Sequence, residues 1–288
     1  MPSSEYDVAI AGAGPAGLQA ARDIASRDYD VLVLETEPRD EFPSTSNKST
    51  AGTFPPMMAS FDIPDKVVQN YTERVVLESP NSYFSMDAAG AVMDFAEFKQ
   101  YLVDECEERG AEFEFGTRVN GPIKENGKVK GIRYNGDESV RSKVSIDATG
   151  PAAAISRELG LTELPRNRQA IGIEYEMRGV EPETSEEGYS DVTDAMMLRL
   201  NHELAPGGYS WIFHTGGDTA KVGLCYIMNE SFNTYGDSET GVESYMEEFV
   251  RRDPRLRDAE KMEGRMHRGS AHILLPDGMS TDGFMAVG

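Results

Sequence analysis

Residues 6 to 35 carry a pattern that few folds can accommodate. Tyr6 to Ala11 is a short apolar run leading directly into Gly12-Ala13-Gly14-Pro15-Ala16-Gly17. A helical pattern follows, with Gly17, Ala20, Ala21 and Ile24 on one face, and then a second apolar run, Val31-Leu32-Val33-Leu34, closed by Glu35. Strand, glycine-rich turn, helix and strand make a βαβ unit, and G-x-G-x-x-G at the first strand end is the spacing of a dinucleotide cradle. Gly12 permits the tight turn, Gly14 leaves no side chain where backbone must approach a pyrophosphate, and Gly17 lets the helix pack close to the sheet. The phosphates would meet the free N–H groups and positive dipole end of the helix. Glu35 stands 18 residues beyond Gly17, where a carboxylate can accept hydrogen bonds from a ribose diol.

At 288 residues the chain is long enough for two cores. The expected division is residues 1–150 for the first part of the nucleotide-binding domain, 151–275 for a second domain and 276–288 for a return to the first. Lys+Arg total 28 against 50 Asp+Glu, a net charge of -22, with nine lysines to nineteen arginines. Such a surface is heavily solvated, and lysine depletion on an acidic protein suits a cytoplasm of very high salt, where self-repulsion is screened. Nucleic acid is excluded as a partner because no basic patch exists to neutralise phosphates. Attraction to anionic headgroups is disfavoured for the same reason. The first strand begins almost at Met1, leaving no room for a signal peptide, and no apolar run reaches membrane-spanning length, so a cytoplasmic location is expected. Cys106 and Cys225 sit in separate patterned segments and read as free thiols. His202, His214, His267 and His272 lack metal-ligand spacing, and there is no G-x-S-x-G, P-loop or Cys-x-x-Cys. No metal is expected, and no catalytic side chain can be named from the residues.

After Glu35 the chain turns rich in Ser, Thr, Pro and Gly from Pro38 to Pro56, either a functional loop beside the nucleotide site or a plain surface connection. Arg74 to Leu77 reads as a strand. Phe95, Phe98, Leu102 and Cys106 recur at helical spacing, with Glu97, Lys99, Gln100, Asp104, Glu105 and Glu107 assigned to the other faces, up to a stop at Gly110. Two strand patterns, Glu112 to Val119 and Gly127 to Tyr134, meet at a turn over Glu125-Asn126-Gly127, and a further strand ends in Asp147-Ala148-Thr149-Gly150. Beyond it, Ala170–Gly179, Ala195–Asn201, Gly208–Thr215 and Thr219–Met228 predict an antiparallel sheet. Ser238 is the expected cap of a helix with a buried stripe of Val242, Tyr245, Met246, Phe249 and Val250, and a second helix is expected over Glu260 to Gly269. Alternation puts Tyr209, Trp211 and Phe213 on one strand face. Periodicity alone allows this trio to be ordinary core or a ligand wall.

Gly12-x-Gly14-x-x-Gly17 with Glu35, followed by Asp147-Ala148-Thr149-Gly150, resembles the FAD-binding half of the flavoprotein group that includes p-hydroxybenzoate hydroxylase and the geranylgeranyl reductases. Tyr209-x-Trp211-x-Phe213 after Pro206-Gly207 resembles the substrate-pocket motif of the geranylgeranyl reductases, although His214 stands where that family has a proline and Gly223 falls one residue late. The family's loop cysteine has no counterpart in Ser44 to Thr53, and Asp94-Phe95 replaces an arginine at the head of the following helix. The resemblance implies an α/β protein: a Rossmann-type FAD-binding domain, GR2-like, with an inserted antiparallel β-sheet substrate domain. It implies FAD held by Gly12, Ala13, Gly14, Pro15, Ala16, Gly17, Glu35, Val119, Thr149 and Gly150, with substrate against Tyr209, Trp211 and Phe213. The implied reaction is reduction of carbon–carbon double bonds of geranylgeranyl chains in archaeal membrane-lipid biosynthesis, fed by NAD(P)H or a ferredoxin and compatible with peripheral membrane contact. An FAD-dependent monooxygenase of a smaller aromatic or apolar molecule and a non-catalytic fragment are the alternatives. In the family the segment matching Gly283 to Gly288 continues into Gly-Asp-Ala-Ala-Gly, so a chain ending at Gly288 is expected to be truncated, to bind FAD weakly alone and to lack reductase activity.

Overall fold

The computed structural model describes residues 5–43, 50–229, 231, 241–274 and 276–287. In chain order the elements are β1 (Glu5–Ala11), α1 (Pro15–Ala25), β2 (Val31–Leu34), β3 (Gly52–Thr53), α2 (Pro55–Ser60), β4 (Val68–Ser79), β5 (Ser82–Met93), α3 (Phe95–Glu108), β6 (Glu112–Glu114), β7 (Val119–Glu125), β8 (Lys128–Tyr134) and β9 (Glu138–Asp147). They continue with α4 (Ala154–Glu158), β10 (Gln169–Arg178), β11 (Ala195–Arg199), β12 (Tyr209–Gly216), β13 (Thr219–Ile227), α5 (Val242–Arg252), β14 (Glu260–His272), β15 (Ser280–Thr281) and β16 (Phe284–Ala286). The chain divides into two units, one of residues 1–46, 96–164 and 274–288, the other of residues 47–95 and 165–273.

The first unit is built on a sheet whose path runs β15-β16-β9-β1-β2-β6, parallel from β16 to β6. Parallel strands covered on both faces need apolar residues at every position, and Val31–Leu34 is buried throughout. β7, β8 and the start of β9 form an antiparallel meander, and β9 then enters the parallel sheet beside β1. Ala9, Ala11, Leu32, Leu34, Ile132 and Phe284 are among its core residues. In α3 the buried face carries Phe98, Lys99, Leu102, Val103 and Cys106. Lys99 thus corrects the expectation that put it on an outer face: Val103 is four residues on, so both point inward. Cys106 is wholly buried with its thiol pushed up to about 12 by desolvation, and it donates to the Leu18 carbonyl at 3.2 Å.

The second unit holds an eight-stranded sheet in the order β14-β10-β13-β12-β11-β4-β5-β3. Its pairings are antiparallel except β11 with β4. Here the structure departs from the linear division at residue 150, because β3, β4 and β5 complete this sheet rather than the first. The expected strand at Arg74–Leu77 is the middle of a long hairpin arm. The helix expected over Glu260 to Gly269 is instead β14, paired with β10 along its length. Gly264 at φ +72° breaks any helix there, and the edge of β10 offers backbone partners that local spacing does not reveal. α5 buries Val242, Tyr245, Met246 and Phe249 as expected. Gly241 is its N-cap, and Ser238 lies outside the described residues. Among the described residues no helix is long and apolar enough to cross a membrane, and no group of three His, Cys, Asp or Glu residues is placed to hold a metal.

A buried ionic network ties this unit together. Arg255 clasps Glu78 through two hydrogen bonds, of 2.7 Å to Oε1 and 3.0 Å to Oε2, and Asp253 through two more. Arg199 adds 2.7 Å to Glu78 Oε2, and the Ser190 hydroxyl and amide donate to Oε1. Burial alone would raise the Glu78 carboxyl, but Arg255 and Ser190 bring it below the ordinary glutamate range. Its contribution to stability is therefore present above the unfolded carboxyl's range and lost as pH falls through the lower folded value. Glu78→Gln should cost about 3–5 kcal/mol at neutral pH by leaving two buried guanidinium groups undercompensated. Urea unfolding followed by circular dichroism should show that cost, and the gap to the unmodified protein should narrow as the carboxyl is protonated in acid.

Candidate functional site

In the first unit the carboxyl ends of β9, β1 and β2 lie side by side, and the expected cofactor residues gather there. Gly12 N–H donates to the Leu34 carbonyl at 2.8 Å, and Ala148 N–H to the Ala11 carbonyl at 2.9 Å, tying the three strand ends together. Gly12 holds φ +103°, and a Cβ there would fall 2.4 Å from the Ala148 oxygen. A Cβ on Gly17 would fall 2.1 Å from the Gly12 oxygen, so the first turn of α1 rests directly on the loop. Neither glycine is replaceable without moving backbone.

Gly14 is different. It takes φ −75° and ψ 172°, open to any residue, and a Cβ on it would meet no atom within 4 Å. It is the N-cap of α1 without any side-chain cap, and Pro15 occupies the first helical position. The helix start therefore presents its amides and positive dipole end to open space. Gly150, at φ +58°, also borders open space. A cradle with room where two glycines face outward and an uncapped helix end behind it fits a dinucleotide pyrophosphate.

Glu35 has a role beyond the one its position suggests. Its Oε2 accepts from the Ala13 amide at 2.7 Å and its Oε1 from the Glu37 amide at 2.9 Å, so the carboxylate braces the glycine loop. Its carbonyl accepts from Thr117 N–H at 2.7 Å, which draws in the segment that reaches Val119 two residues later. Val119 itself packs against the core of this unit. Thr149 is more inward than expected. Its amide and hydroxyl both donate to Asp147 Oδ1, and the hydroxyl also accepts from Ala154 N–H. Asp147 Oδ2 accepts from the Ile155 and Ser156 amides and the Ser156 hydroxyl, so one buried carboxylate sets the whole turn after β9. Lys99 is a residue the sequence reading missed. It lies 3.9 Å from Glu37 and 4.2 Å over the Phe42 ring, its ammonium held below the ordinary lysine range by desolvation against the pull of Glu35 and Glu37.

In the second unit Tyr209, Trp211 and Phe213 converge on a cavity of about 320 Å³, walled also by Val75, Met196 and Leu198. Tyr209 and Trp211, with ring centroids 5.8 Å apart, line a second cavity of about 470 Å³ as well. Glycines make the room: a Cβ on Gly223, the cross-strand partner of Trp211, would sit 2.3 Å from the indole, and one on Gly52 would sit 2.5 Å from the Phe213 ring. Gly223 thus earns its place by contact with Trp211, whatever its offset from the family spacing. The larger cavity also exposes a polar group that the sequence did not single out. Glu174, only 4% exposed, accepts from Trp211 Nε1 at 2.9 Å.

A family model described as FAD dependent oxidoreductase matches residues 7–171, and one described as geranylgeranyl reductase catalytic domain matches residues 171–266. The chain is 60% identical over 286 residues to a protein of Haloferax volcanii named digeranylgeranylglycerophospholipid reductase, covering 99% of this chain and 69% of that one. It is 32% identical over 233 residues to the protein of that name in Methanosphaerula palustris, covering 77% of this chain and 55% of the other. Among solved structures, a geranylgeranyl bacteriochlorophyll reductase-like protein of Thermoplasma acidophilum superposes with a TM-score of 0.81 at 23% identity, over 98% of this chain and 70% of that one. The myxobacterial chondrochloren halogenase, described as an FAD-dependent halogenase, gives 0.75 at 17% over 99% and 68%. These two likenesses concern the fold.

The glycine contacts lead to an asymmetric expectation for stability. Gly17→Ala should destabilise by about 1–3 kcal/mol despite alanine's ~1 kcal/mol advantage in helix propensity. Gly14→Ala should cost less than about 1 kcal/mol. Thermal or urea unfolding of the two variants checks the order. Glycine loop, strand order, matched family models and 60% identity agree, and the chain belongs to the geranylgeranyl reductase family of FAD-dependent oxidoreductases.

Proposed function

We propose that this protein, loaded with FAD, reduces carbon–carbon double bonds in the geranylgeranyl chains of archaeal membrane-lipid precursors. The observation that carries the reading is the pair of cavities sharing Tyr209 and Trp211: two adjoining, mostly apolar spaces with common aromatic walls suit a long hydrocarbon guest. The name of the Haloferax volcanii relative supports the substrate class.

In this reading Gly12, Ala13, Gly14, Pro15, Ala16 and Gly17 form the pyrophosphate cradle, and Glu35 both braces that loop and offers remaining lone pairs to a ribose. Thr149 and Gly150 bound the cradle on the β9 side, and Val119 serves the adenosine side. Bound FAD supplies hydride chemistry; the protein supplies binding, orientation and exclusion of water. Tyr209, Trp211 and Phe213 hold the isoprenoid by their ring faces. Electrons arrive from a transient donor, NAD(P)H or a ferredoxin-like protein. Peripheral contact with a membrane would deliver the lipid, and one face of β4 and β5 exposes Leu77, Phe84 and Met86, an apolar strip suited to it.

Two measurements test the reading. Gly14→Val should keep the fold by circular dichroism while FAD affinity falls on the order of a hundredfold, the loss expected when one or two charge-assisted contacts to phosphate are blocked. Full flavin occupancy in that variant would refute the assignment of the loop. Reduced enzyme, kept free of oxygen, should be reoxidised by a geranylgeranyl lipid with saturation of its double bonds. Turnover that requires oxygen and yields a hydroxylated product would favour a monooxygenase instead.

A further inference from the structure

Reduction of an alkene needs a proton as well as a hydride, and nothing described so far provides one. The larger cavity contains an answer. Glu174 lies on β10 and lines that cavity, yet it is 4% exposed. Its Oε2 is held by the Trp211 indole N–H at 2.9 Å and the Thr50 side chain also supports the carboxylate, while Oε1 is buried without a hydrogen bond of ordinary geometry among the described residues. An unpaired carboxylate oxygen in an apolar wall is costly, whereas a carboxylic acid with its proton on that oxygen is not.

The surroundings weigh the same way. Lys221 on β13 acts on Glu174 through charge, but its ammonium is bonded to the Met93 carbonyl at 2.7 Å and the Thr50 carbonyl at 3.3 Å. His267 on β14 faces the same cavity and has Glu176 at 3.4 Å from its Nε2. The Thr50 and Trp211 side chains add polar support. Burial outweighs all four and raises the Glu174 carboxyl above the ordinary glutamate range.

We propose that Glu174 is the proton donor to the double bond, with Oε1 carrying the proton and Trp211 fixing Oε2. The inference rests on the functional reading above. In the step, the O–H bond at Oε1 breaks and a C–H bond forms at one alkene carbon, and the carboxylate left behind keeps the Trp211 N–H bond until solvent returns a proton. Reduced FAD, when bound, would supply the hydride and its two electrons to the other alkene carbon. Tyr209 on β12 cannot take this role as readily, because desolvation holds its phenol above the ordinary tyrosine range, and Cys225, also in this wall, is held up likewise.

Trp211 is the only tryptophan in the chain, so its fluorescence reports on Glu174 without flavin turnover. In the unmodified protein, titration upward from the ordinary glutamate range should show a fluorescence transition that is absent from Glu174→Gln, a substitution matching the shape of the neutral acid. A transition unchanged in Glu174→Gln would come from another group and overturn the inference. With FAD bound, Glu174→Gln should be reduced by its electron donor at the normal rate but saturate a geranylgeranyl lipid 10²–10⁴-fold more slowly, the usual contribution of a positioned acid. Normal alkene reduction by that variant would overturn the role of Glu174 alone. Failure of the unmodified holoenzyme to reduce the lipid at all would overturn the functional reading, and the inference with it.

Discussion

Everything at the nucleotide end depends on three backbone segments approaching closer than any side chain allows. The turn after β1, the first turn of α1 and the turn after β9 meet where Gly12, Gly17 and Ala148 pack, and a methyl group on either glycine would lie within about 2.4 Å of a carbonyl oxygen. Steric exclusion, more than any attractive contact, sets the shape of the cradle. Two carboxylates then hold that shape. Glu35 ties the loop to the end of β2, and Asp147 gathers the amides and hydroxyls of the turn after β9. The geometry that faces a pyrophosphate is in this sense preformed, so binding need not order the loop first.

The second unit buries two glutamates that solve the same problem in opposite ways. Glu78 keeps its charge because Arg255, Arg199 and Ser190 occupy both oxygens. Such a group serves structure: it is satisfied, inward and tied to its neighbours. Glu174 is as deeply buried but has one oxygen bonded and one bare, at a cavity wall. Incomplete satisfaction of a buried acid has a cost in stability, and sites of chemistry are where folds carry such costs. That contrast, within one sheet, separates a structural carboxylate from a functional one more sharply than residue type or burial could.

The acidic surface is a separate matter from either site. Exposed pairs such as Lys128–Asp282 and Arg178–Glu260 add little to stability individually and are screened further by salt. With a net charge of -22, screening by salt relieves self-repulsion.

The amino-acid sequence by itself determined the elements whose signal is local. The βαβ unit was legible because strand period, glycine spacing and the terminal acid all fall within thirty residues, and the aromatic face of β12 because alternation is a property of one strand. What only the tertiary structure decided is what distant segments bring together. Residues 47–95 join the second sheet because β4 finds β11, more than a hundred positions away. Glu260 to His272 is a strand because β10 offers an edge, where local spacing pointed to a helix. Lys99 and Glu174 read as ordinary polar residues in sequence. Burial and partners give each its character, and those partners come from separate elements: Phe42 and Glu37 for Lys99, and strands β12, β13 and β14 for Glu174. Conformational preference is written residue by residue, whereas desolvation belongs to the neighbours that remove the water, and only folding assembles them.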